Sequence, residues 1–441
     1  MASRAAPPTL LAIGVISAPQ FLERRLALRS SWMLSPNVGA SRVVEVRFVV
    51  RMEEAPAALA EALRAENDTF SGDVLGVSVA WNASRVKGPL LSLAAWLRFA
   101  ARRLGHIQFI AKADDDLYIH TRDLEHLLRS LHAAAPAPSR LYLGSMSWFH
   151  WLPAIFERSG WGGTFFQSWA AGERCRNRTA ACLGPFPFAA GFLIVLSRGL
   201  AGELASSETM ADDVRRLKAA RGLQQSDGRR AWKVLEDIWL GSLLYRDPPK
   251  GGPVRFVNMP EGLVVDKWGL RVTPTAVLVH LKHRLLERFL AVHNYSHGAE
   301  HCRARLHLNC STRGCLGFLY PWLQDGPSPL RQTLQHSPPL PFRRGEFPIL
   351  DAAFASPFCA GGSQAGASFC HLEASAPETC PCVGVACHQE VDIRERAEAP
   401  QLRRRKERLL QRAAAFGGGR AIMQRLLEGD AAESRSGGGE G

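Results

Sequence analysis

Three adjacent carboxylates, Asp114-Asp115-Asp116, are the sharpest chemical feature of the sequence. They follow the apolar segment His106–Ala111 and Lys112. Like charges this close repel one another, so a fold that keeps them together needs a counter-charge nearby. Hard divalent cations prefer oxygen ligands, and Mg²⁺ or Mn²⁺ bridging to phosphate is the usual arrangement. The triplet therefore has two interpretations: a metal site, or an acidic turn whose charges favour the start of the next helix.

Two later segments carry groups that could act together with the triplet. Glu236-Asp237 precede an apolar, helix-like run, where carboxylates commonly serve as helix caps. His280 lies inside the apolar run Val277–Leu281, where a single histidine is usually a hydrogen-bonded core residue. Taken one at a time, each of these groups has an ordinary structural interpretation beside the functional one.

The elements that must position these groups alternate along the chain between strand-like and helix-like patterns. Short apolar or β-branched runs predict strands at Leu10–Ser17, Val43–Val50, His106–Ala111, Gly191–Ser197 and Val277–Leu281. Helical patterns cover Arg24–Trp32, Glu54–Asn67, Pro89–Leu104, Thr121–Leu131 and Glu236–Tyr245. This alternation predicts an α/β domain with a mainly parallel sheet, whose ligands bind at the carboxyl ends of the strands. The acidic triplet falls at such an end.

Five segments together resemble glycosyltransferase family 31, which contains β-1,3-galactosyltransferases and β-1,3-N-acetylglucosaminyltransferases. They are Leu11–Ser17 with Arg24–Trp32 (RRLALRSSW), Phe109–Ile119 (FIAKADDDLYI), Pro187–Ser197 (PFAAGFLIVLS), Glu236–Gly241 (EDIWLG) and His280. In order, they resemble the family's opening strand with its R-R-x-A-I-R-x-T-W motif, its K-T-D-D-D-V-F-V segment, its Y-P-x-Y-x-S-G…V-L-S segment, its E-D-V-x-x-G motif and its late metal-binding histidine. The segments keep the family's order over residues 9 to about 285, roughly two-thirds of the chain.

The resemblance implies a GT-A-type nucleotide-sugar-binding fold, a UDP-sugar donor and a Mn²⁺ cofactor, with Mg²⁺ as the alternative ion. Asp114 and Asp116, with Asp115 pointing elsewhere, would hold the metal together with His280. Asp237 would be the general base, taking a proton from the acceptor hydroxyl as it attacks the anomeric carbon from the opposite face. A single inverting displacement of this kind gives a β-linkage.

The resemblance further implies nucleotide-sugar contacts for Arg29, Lys112 and Asp115. Asp115 or Asp114 would contact the ribose or a metal-bound water. Arg29 and Lys112 would contact the diphosphate or support the site, and Arg29 would equally well hold the triplet. The donor expected is UDP-galactose and the acceptor a glycan or glycoprotein. A UDP-N-acetylglucosamine transferase is the near alternative, and an inactive module that binds glycans or nucleotide sugars is the alternative of another class.

The cysteines and asparagines indicate passage through the secretory lumen. The chain has 10 Cys, none before residue 175 and five between 359 and 387, and this clustering predicts disulfides rather than a regular zinc finger. Five of its seven asparagines head an N-x-[ST] sequon, which predicts glycosylation at Asn67, Asn82, Asn177, Asn294 and Asn309. Cys175 and Cys182 lie in an insertion, where a disulfide would staple the loop. Together with the family resemblance, this implies a Golgi enzyme with a lumenal catalytic domain.

Composition and charge narrow the remaining possibilities. The 441 residues are 46% hydrophobic and 22% charged, which excludes a disordered or fibrous chain. A net charge of +13 favours anionic partners, but no interleaving of aromatic and basic residues indicates nucleic acid. The apolar run Thr9–Ala18 is too short to span a bilayer, which takes roughly 20 residues, so a type II membrane anchor would lie outside this chain.

Changes in composition predict three parts. Residues 9–285 are predicted to form the GT-A domain, and 286–395 a Cys- and Pro-rich irregular extension. Residues 396–441 are predicted to form a basic helix and a flexible tail.

Overall fold

The computed structural model describes most of the first 300 residues and a few segments beyond them. The described residues are 9–84, 87–134, 140–151, 183–219, 235–259, 263–266, 271–272, 276–281, 286–298, 305–310, 368–375, 391–392, 404 and 411. The predicted disulfide between Cys175 and Cys182, the sequon at Asn177 and most of the basic helix lie outside these residues.

Fourteen strands and eight α-helices are found in the described residues. The strands are β1 Leu11–Ser17, β2 Val44–Glu53, β3 Val74–Ala80, β4 Phe109–Asp114, β5 Leu117–Ile119, β6 Arg140–Trp151, β7 Leu183–Ser197, β8 Val254–Asn258, β9 Val264–Asp266, β10 Arg271–Val272, β11 Leu278–His280, β12 Arg305–Cys310, β13 Ser368–Ser375 and β14 Val391–Asp392. The helices are α1 Leu22–Arg29, α2 Ala57–Thr69, α3 Lys87–Arg103, α4 Thr121–Ala134, α5 Arg198–Ala205, α6 Glu208–Ala219, α7 Glu236–Arg246 and α8 Leu286–Gly298.

Nine strands form the central sheet, in the order β12-β13-β8-β6-β7-β4-β1-β2-β3. Five of the eight pairings are parallel: β1 with β2 and β4, β2 with β3, β6 with β8, and β8 with β13. The exceptions are β7, which runs antiparallel to both β4 and β6, and β12, which is antiparallel to β13. The expected α/β class with a mainly parallel sheet is therefore confirmed.

The sheet lies between two helical layers, and β1 shows why its sequence is apolar throughout. Successive side chains of a strand point to opposite faces, so a strand covered on both sides needs apolar residues at every position. Leu11, Ile13 and Val15 pack with α1, α4 and α8, whereas Ala12 packs on the other face with α3, α5, α6 and α7. All four side chains are fully buried.

A separate three-stranded sheet, β5-β11-β9, brings a distant part of the chain to the end of β4. In its antiparallel pairing, His280 on β11 is the partner of Leu117 on β5. Leu117 directly follows Asp116, so this register places His280 beside the acidic triplet. The pairing of two very short strands thus joins residues more than 160 positions apart in sequence.

The sheet continues beyond the boundary predicted at residue 285. Phe289 and Leu290 of α8 are buried in the same core as β1, and β13 pairs with β8 at the edge of the sheet. The three-part division remains a prediction, but the segments 286–298, 305–310 and 368–375 contribute to the same architecture.

Within the described part of the chain, the longest helix is α3 with 17 residues, and no helix is long and apolar enough to cross a membrane.

Candidate metal and active site

Asp114, Asp116 and His280 form a group that could hold a cation. One ligand atom from each lies within 4.8 Å of the other two, and the Nε2 atom of His280 is 3.2 Å from Oδ1 of Asp116. Asp114 ends β4, Asp116 lies in the turn before β5, and His280 ends β11. Two carboxylate oxygens and one imidazole nitrogen suit a divalent ion such as Mn²⁺, since carboxylates suit Mg²⁺ and Mn²⁺ and imidazole favours a transition metal. The residues present therefore fit the cofactor that the resemblance implied.

The three carboxylates of the triplet differ in their protonation. Burial raises the pKa of Asp114 to about 6; the neighbouring charge of Lys112 opposes this rise, and those of Glu236 and Asp116 add to it. Burial likewise raises the pKa of Asp115. Burial would also raise the pKa of Asp116, but the hydrogen bond to His280 and the charge of that histidine outweigh it, and the pKa is lowered. Asp116 is thus the carboxylate most readily ionised at the group.

Lys112 is the buried counter-charge beneath the site. Its Nζ donates to Oδ1 of Asp114 at 2.5 Å, to Oε1 of Glu236 at 2.8 Å and to the carbonyl oxygen of Gly191. Burial alone would lower the pKa of this ammonium, but the charges of Asp114 and Glu236 raise it above its usual value. An ammonium has three N–H donors, so Lys112 is saturated by these contacts. Of the two roles implied for it, the geometry matches the supporting one.

Asp237 lies next to this cluster, at the start of α7. Its Oδ2 accepts from the backbone N–H of Gly191 at 3.0 Å, and its Oδ1 accepts from the N–H of Ile238 at 2.8 Å. Burial raises the pKa of Asp237 to about 7, and the charge of Glu236 adds to the rise. Glycine at 191 permits this approach of β7 to α7, because a Cβ there would lie 3.3 Å from Oδ2 of Asp237. A half-buried carboxylate with a pKa near neutrality is suited to general-base chemistry.

Arg29 pairs with two carboxylates outside the acidic triplet. Its guanidinium donates to Glu66 at 2.8 Å and to both oxygens of Asp73 at 2.7 and 2.9 Å, and it lies over the rings of Phe48 and Phe70. The same carboxylate of Glu66 also accepts from Arg25. Arg29 thus ties α1 to α2 and the segment before β3. In this structure Arg29 therefore does not hold the triplet, and its contact with the diphosphate stays a prediction.

Arg24 is the arginine that reaches the triplet, and the sequence reasoning did not select it. Its Nη1 is 2.7 Å from Oδ1 of Asp115 and 3.7 Å from Oδ2 of Asp116. The hydroxyl of Ser17 donates to the other oxygen of Asp115 at 2.7 Å. Helical spacing separates Arg24 from the other two arginines of α1. Arg25 and Arg29 are four residues apart and share one face of the helix, whereas Arg24 lies about 100° away and so faces a different neighbour.

The predicted glycosylation sites differ in their exposure and in the elements that carry them. Asn82 is exposed in the turn after β3. Asn67 is half-buried near the end of α2, and its Oδ1 accepts from the N–H of Val74 at 2.8 Å. Asn294 lies in α8 and Asn309 in β12. Glycosylation at all five sequons remains a prediction.

Comparison with known proteins agrees with the sequence motifs. Residues 23–215 match the family model described as Galactosyltransferase. Over 148 residues the chain is 32% identical to β-1,3-galactosyltransferase 6 of Mus musculus, which covers 33% of this chain and 43% of that protein. Over 143 residues it is 28% identical to hydroxyproline O-galactosyltransferase GALT2 of Arabidopsis thaliana, covering 32% of this chain and 19% of that one. The resemblance to the family 31 glycosyltransferases is confirmed.

The segment that matches the family model, residues 23–215, includes nearly all of α1, the acidic triplet and the first part of α6. The chain spans less than half the length of the curated relatives it matches. Two solved structures are also similar to it. They are a galactosyltransferase LgtC with donor and acceptor sugar analogues (TM-score 0.33, 12% identity, 64% of this chain and 95% of that one) and the bifunctional glycosyltransferase WbbM (TM-score 0.35, 12% identity, 68% and 52%).

Proposed function

We propose that this protein is an inverting, metal-dependent hexosyltransferase that moves galactose from UDP-galactose to a sugar hydroxyl of a glycan or glycoprotein in β-1,3 linkage. The family match and the named galactosyltransferase relatives support the reaction class. The observation that carries the proposal is the convergence of Asp114, Asp116 and His280 within 4.8 Å beside the Lys112–Glu236 pair. That pair connects the candidate metal ligands to the helix that bears Asp237.

Asp114, Asp116 and His280 would hold Mn²⁺, with Mg²⁺ as the second candidate. The bound ion supplies charge neutralisation to the donor diphosphate and to the departing UDP. Lys112 keeps one oxygen of Asp114 occupied, so the other oxygen of that carboxylate is the one available for a ligand bond. Arg24 and Ser17 fix Asp115 on the side of the triplet that faces α1.

Asp237 would receive the proton of the acceptor hydroxyl. The hydroxyl oxygen attacks the anomeric carbon on the face opposite the diphosphate; the new C–O bond forms as the bond from that carbon to the phosphate oxygen breaks. Two backbone N–H groups, those of Gly191 and Ile238, hold the carboxylate in place for this transfer. Attack from the opposite face inverts the α-linked donor into a β-linked product.

A release assay with a panel of UDP-sugars tests this function. The chain is incubated with Mn²⁺ and UDP-galactose or UDP-N-acetylglucosamine, with and without acceptor sugars, and free UDP is measured before and after EDTA. We expect Mn²⁺-stimulated release from UDP-galactose that EDTA abolishes. A stronger signal from UDP-N-acetylglucosamine would replace the donor in the proposal. No EDTA-sensitive release in any arm would reject the enzyme, and Mn²⁺-dependent UDP binding without release would identify an inactive binding module.

We also propose that the protein works in the Golgi lumen, as a type II membrane protein. The support is the sequon-rich sequence and the exposed position of Asn82. Digestion of the cellular protein with an N-glycosidase should increase its gel mobility, and Asn82→Gln should remove part of that shift. A mobility that the glycosidase leaves unchanged would count against a lumenal location.

A further inference from the structure

The outer side of β3 is an open sheet edge in the described part of the chain. β3 is the last strand of the central sheet and pairs there with β2 alone. Two of its edge groups are occupied by side chains: the N–H of Val74 donates to Oδ1 of Asn67, and the carbonyl oxygen of Ser78 accepts from Nζ of Lys218, both at 2.8 Å. The backbone groups of alternate residues point to the same edge of a strand. Gly76 lies between those two residues and is exposed, so its N–H and carbonyl are open to a further strand.

An apolar groove of about 380 Å³ lies beside this edge, between β3, α3 and α6. Its β3 wall includes Leu75, Val77 and Val79, whose side chains alternate towards the α3 face of the sheet. Its α3 wall includes Leu91 and the half-buried Phe99. A strand added to β3 would continue the alternation of the sheet, so every second side chain of that strand would point into this β3 groove.

Three arginines of α3 line the same groove, namely Arg98, Arg102 and Arg103. Arg102 and Arg103 are exposed, and no hydrogen bond or ion pair of the three arginines is found in the part of the chain that the structure describes. α3 connects β3 to β4, which runs in the same direction in the sheet, so the helix runs antiparallel to β3. The arginines, close to the end of α3, therefore lie towards the start of β3. Clustered positive charge at this end of the groove favours carboxylates.

We propose that the edge of β3 and the β3 groove bind an extended, acidic segment of a partner protein, which adds a strand to the sheet. Alternate apolar side chains of the segment fill the groove, and carboxylates at one of its ends pair with the arginines of α3. In this mode of peptide recognition, main-chain hydrogen bonds give affinity and pockets for alternate side chains give specificity.

Two other occupants match the surface less well. A second copy of the chain would bring two basic edges together, and like charges disfavour that contact. An anionic membrane would match the arginines, but it would leave the backbone groups of Gly76 without strand partners. An acidic partner segment satisfies both the charge and the backbone.

Fluorescence polarisation with synthetic peptides on the full chain tests the proposal. The probes are fluorescein-labelled EEVTVTV and VTVTVEE, because a strand can add in either direction. KKVTVTV and VTVTVKK are their charge-reversed controls. We expect one acidic order to bind at least about tenfold more tightly than its lysine counterpart, as for the reversal of two exposed charge pairs.

N-methylation of the bound peptide identifies strand addition, because it removes backbone donors and leaves the protein unchanged. A strand that pairs on one side turns the N–H groups of alternate residues towards its neighbour. Methylating the even-numbered residues and methylating the odd-numbered ones should therefore differ: one set should abolish binding, and the other should preserve it. Equal effects of the two sets would overturn the added strand.

A charge-reversed protein variant locates the acidic end of the peptide. Arg102→Glu combined with Arg103→Glu changes two exposed side chains and should transfer the preference from the acidic peptide to its lysine counterpart. Arg64→Glu is the matched control, because Arg64 is exposed on α2, in the opposite helical layer; its peptide preference should equal that of the wild type. A double variant that keeps the acidic preference would overturn the assignment to the β3 groove.

The remaining results distinguish the other occupants. Failure of both acidic orders to bind the wild type would overturn the proposal. Binding to phosphatidylserine vesicles that the double variant loses, without peptide binding, would assign the arginines to a membrane instead. A dimer of the chain in sedimentation that the acidic peptide does not dissociate would assign the edge to a second copy, and it would refute the partner segment as well.

Discussion

Asp237→Asn isolates the proposed proton transfer from donor binding. The substitution keeps the size of the side chain and removes its ability to accept a proton at neutral pH. General-base catalysis by a positioned side chain contributes typically 10²- to 10⁴-fold, so transfer should fall by about 10²-fold or more. Binding of UDP with Mn²⁺ should stay near the wild-type affinity, because the candidate metal ligands Asp114, Asp116 and His280 are unchanged.

The structural cost of this variant is the difference between two opposing effects. Both oxygens of Asp237 accept backbone hydrogen bonds, from Gly191 at 3.0 Å and from Ile238 at 2.8 Å. The amide has one oxygen, so one N–H loses its acceptor at a cost of about 1–3 kcal/mol. Against this, the pKa of about 7 means that the ionised carboxylate is disfavoured where it stands, and the amide relieves that penalty. We therefore expect a change in melting temperature of only a few degrees.

Protonation of Asp237 adds a pH dependence to the same test. A base must be ionised to accept a proton, so kcat/KM of the wild type should fall as the pH drops below about 7. The residual activity of Asp237→Asn should lack that limb. The folding stability changes with pH in the opposite direction to the activity. Between about pH 4 and 7 the folded state holds a proton on Asp237 that the unfolded chain has already lost. The contribution of Asp237 to stability is therefore lost as the pH rises from about 4 to 7.

The assay compares product formation and calorimetric UDP affinity for wild type, Asp237→Asn and a control, Asp247→Asn. Asp247 caps the far end of α7, where it accepts from Ser207, so its variant should transfer galactose at the wild-type rate. Turnover of Asp237→Asn within about threefold of wild type would refute the assignment of the base. A parallel loss in the Asp247 control would attribute the effect to α7 as a whole.

Three other perturbations test the surrounding structure. Lys112→Met leaves Asp114 and Glu236 without their shared cation and should destabilise the protein by about 3 kcal/mol in denaturant titration; an unchanged midpoint would contradict the saturated contact. Asp116→Ala should weaken Mn²⁺-dependent UDP binding by at least about tenfold in calorimetry, and equal affinity would remove it from the ligand group. Cys310 and Cys370 occupy paired positions of β12 and β13, so non-reducing peptide mapping of the protein should find them linked; mapping them to free thiols would reject that pairing.

The sequence predicted those parts of the fold that local patterns determine. Leu10–Ser17 was recognisable as a strand because both of its faces are buried, and observed β1 spans Leu11–Ser17. The edge strand β3, VLGVSVA, was not predicted, since its glycine and exposed positions give only a weak alternation. The reversed direction of β7 was also missed, because a strand's periodicity is the same in either direction.

The candidate site likewise has some residues that motifs could predict and some contacts that only the fold reveals. The triplet and the candidate metal ligand His280 could be taken from motifs, and the fold brings them together through the register of β5 with β11. The buried ammonium of Lys112 pairs with Glu236, 124 residues away. The environment of Arg51 depends on the missing side chain of Gly88 in another element. Contacts of this kind are set by tertiary packing, and no spacing along the chain reveals them.

The charged side chains of the assembled site predict that a bound divalent ion displaces protons. The site contains five carboxylates and three basic side chains. The carboxylates are Asp114, Asp115, Asp116, Glu236 and Asp237. Arg24 and Lys112 pair with members of this set, and the charge of Asp115 acts on Arg51. His280 must be neutral to ligate a metal ion. In that state five negative charges and three positive ones leave a formal charge of −2, which one divalent ion would balance. The surplus agrees with pKa values of about 6 for Asp114 and about 7 for Asp237, because each carboxyl ionises against its neighbours.

Binding of Mn²⁺ should therefore release protons near neutral pH, since an added positive charge favours the ionised carboxylates. Calorimetric titration at pH 6.5 in two buffers of different ionisation enthalpy measures the number released. We expect about one proton per ion in the wild type, fewer in Asp237→Asn, and a release that declines towards zero at pH 8.5. A binding enthalpy independent of the buffer at pH 6.5 would show that the carboxylates are already ionised, and it would refute the link between the surplus charge and the raised pKa values.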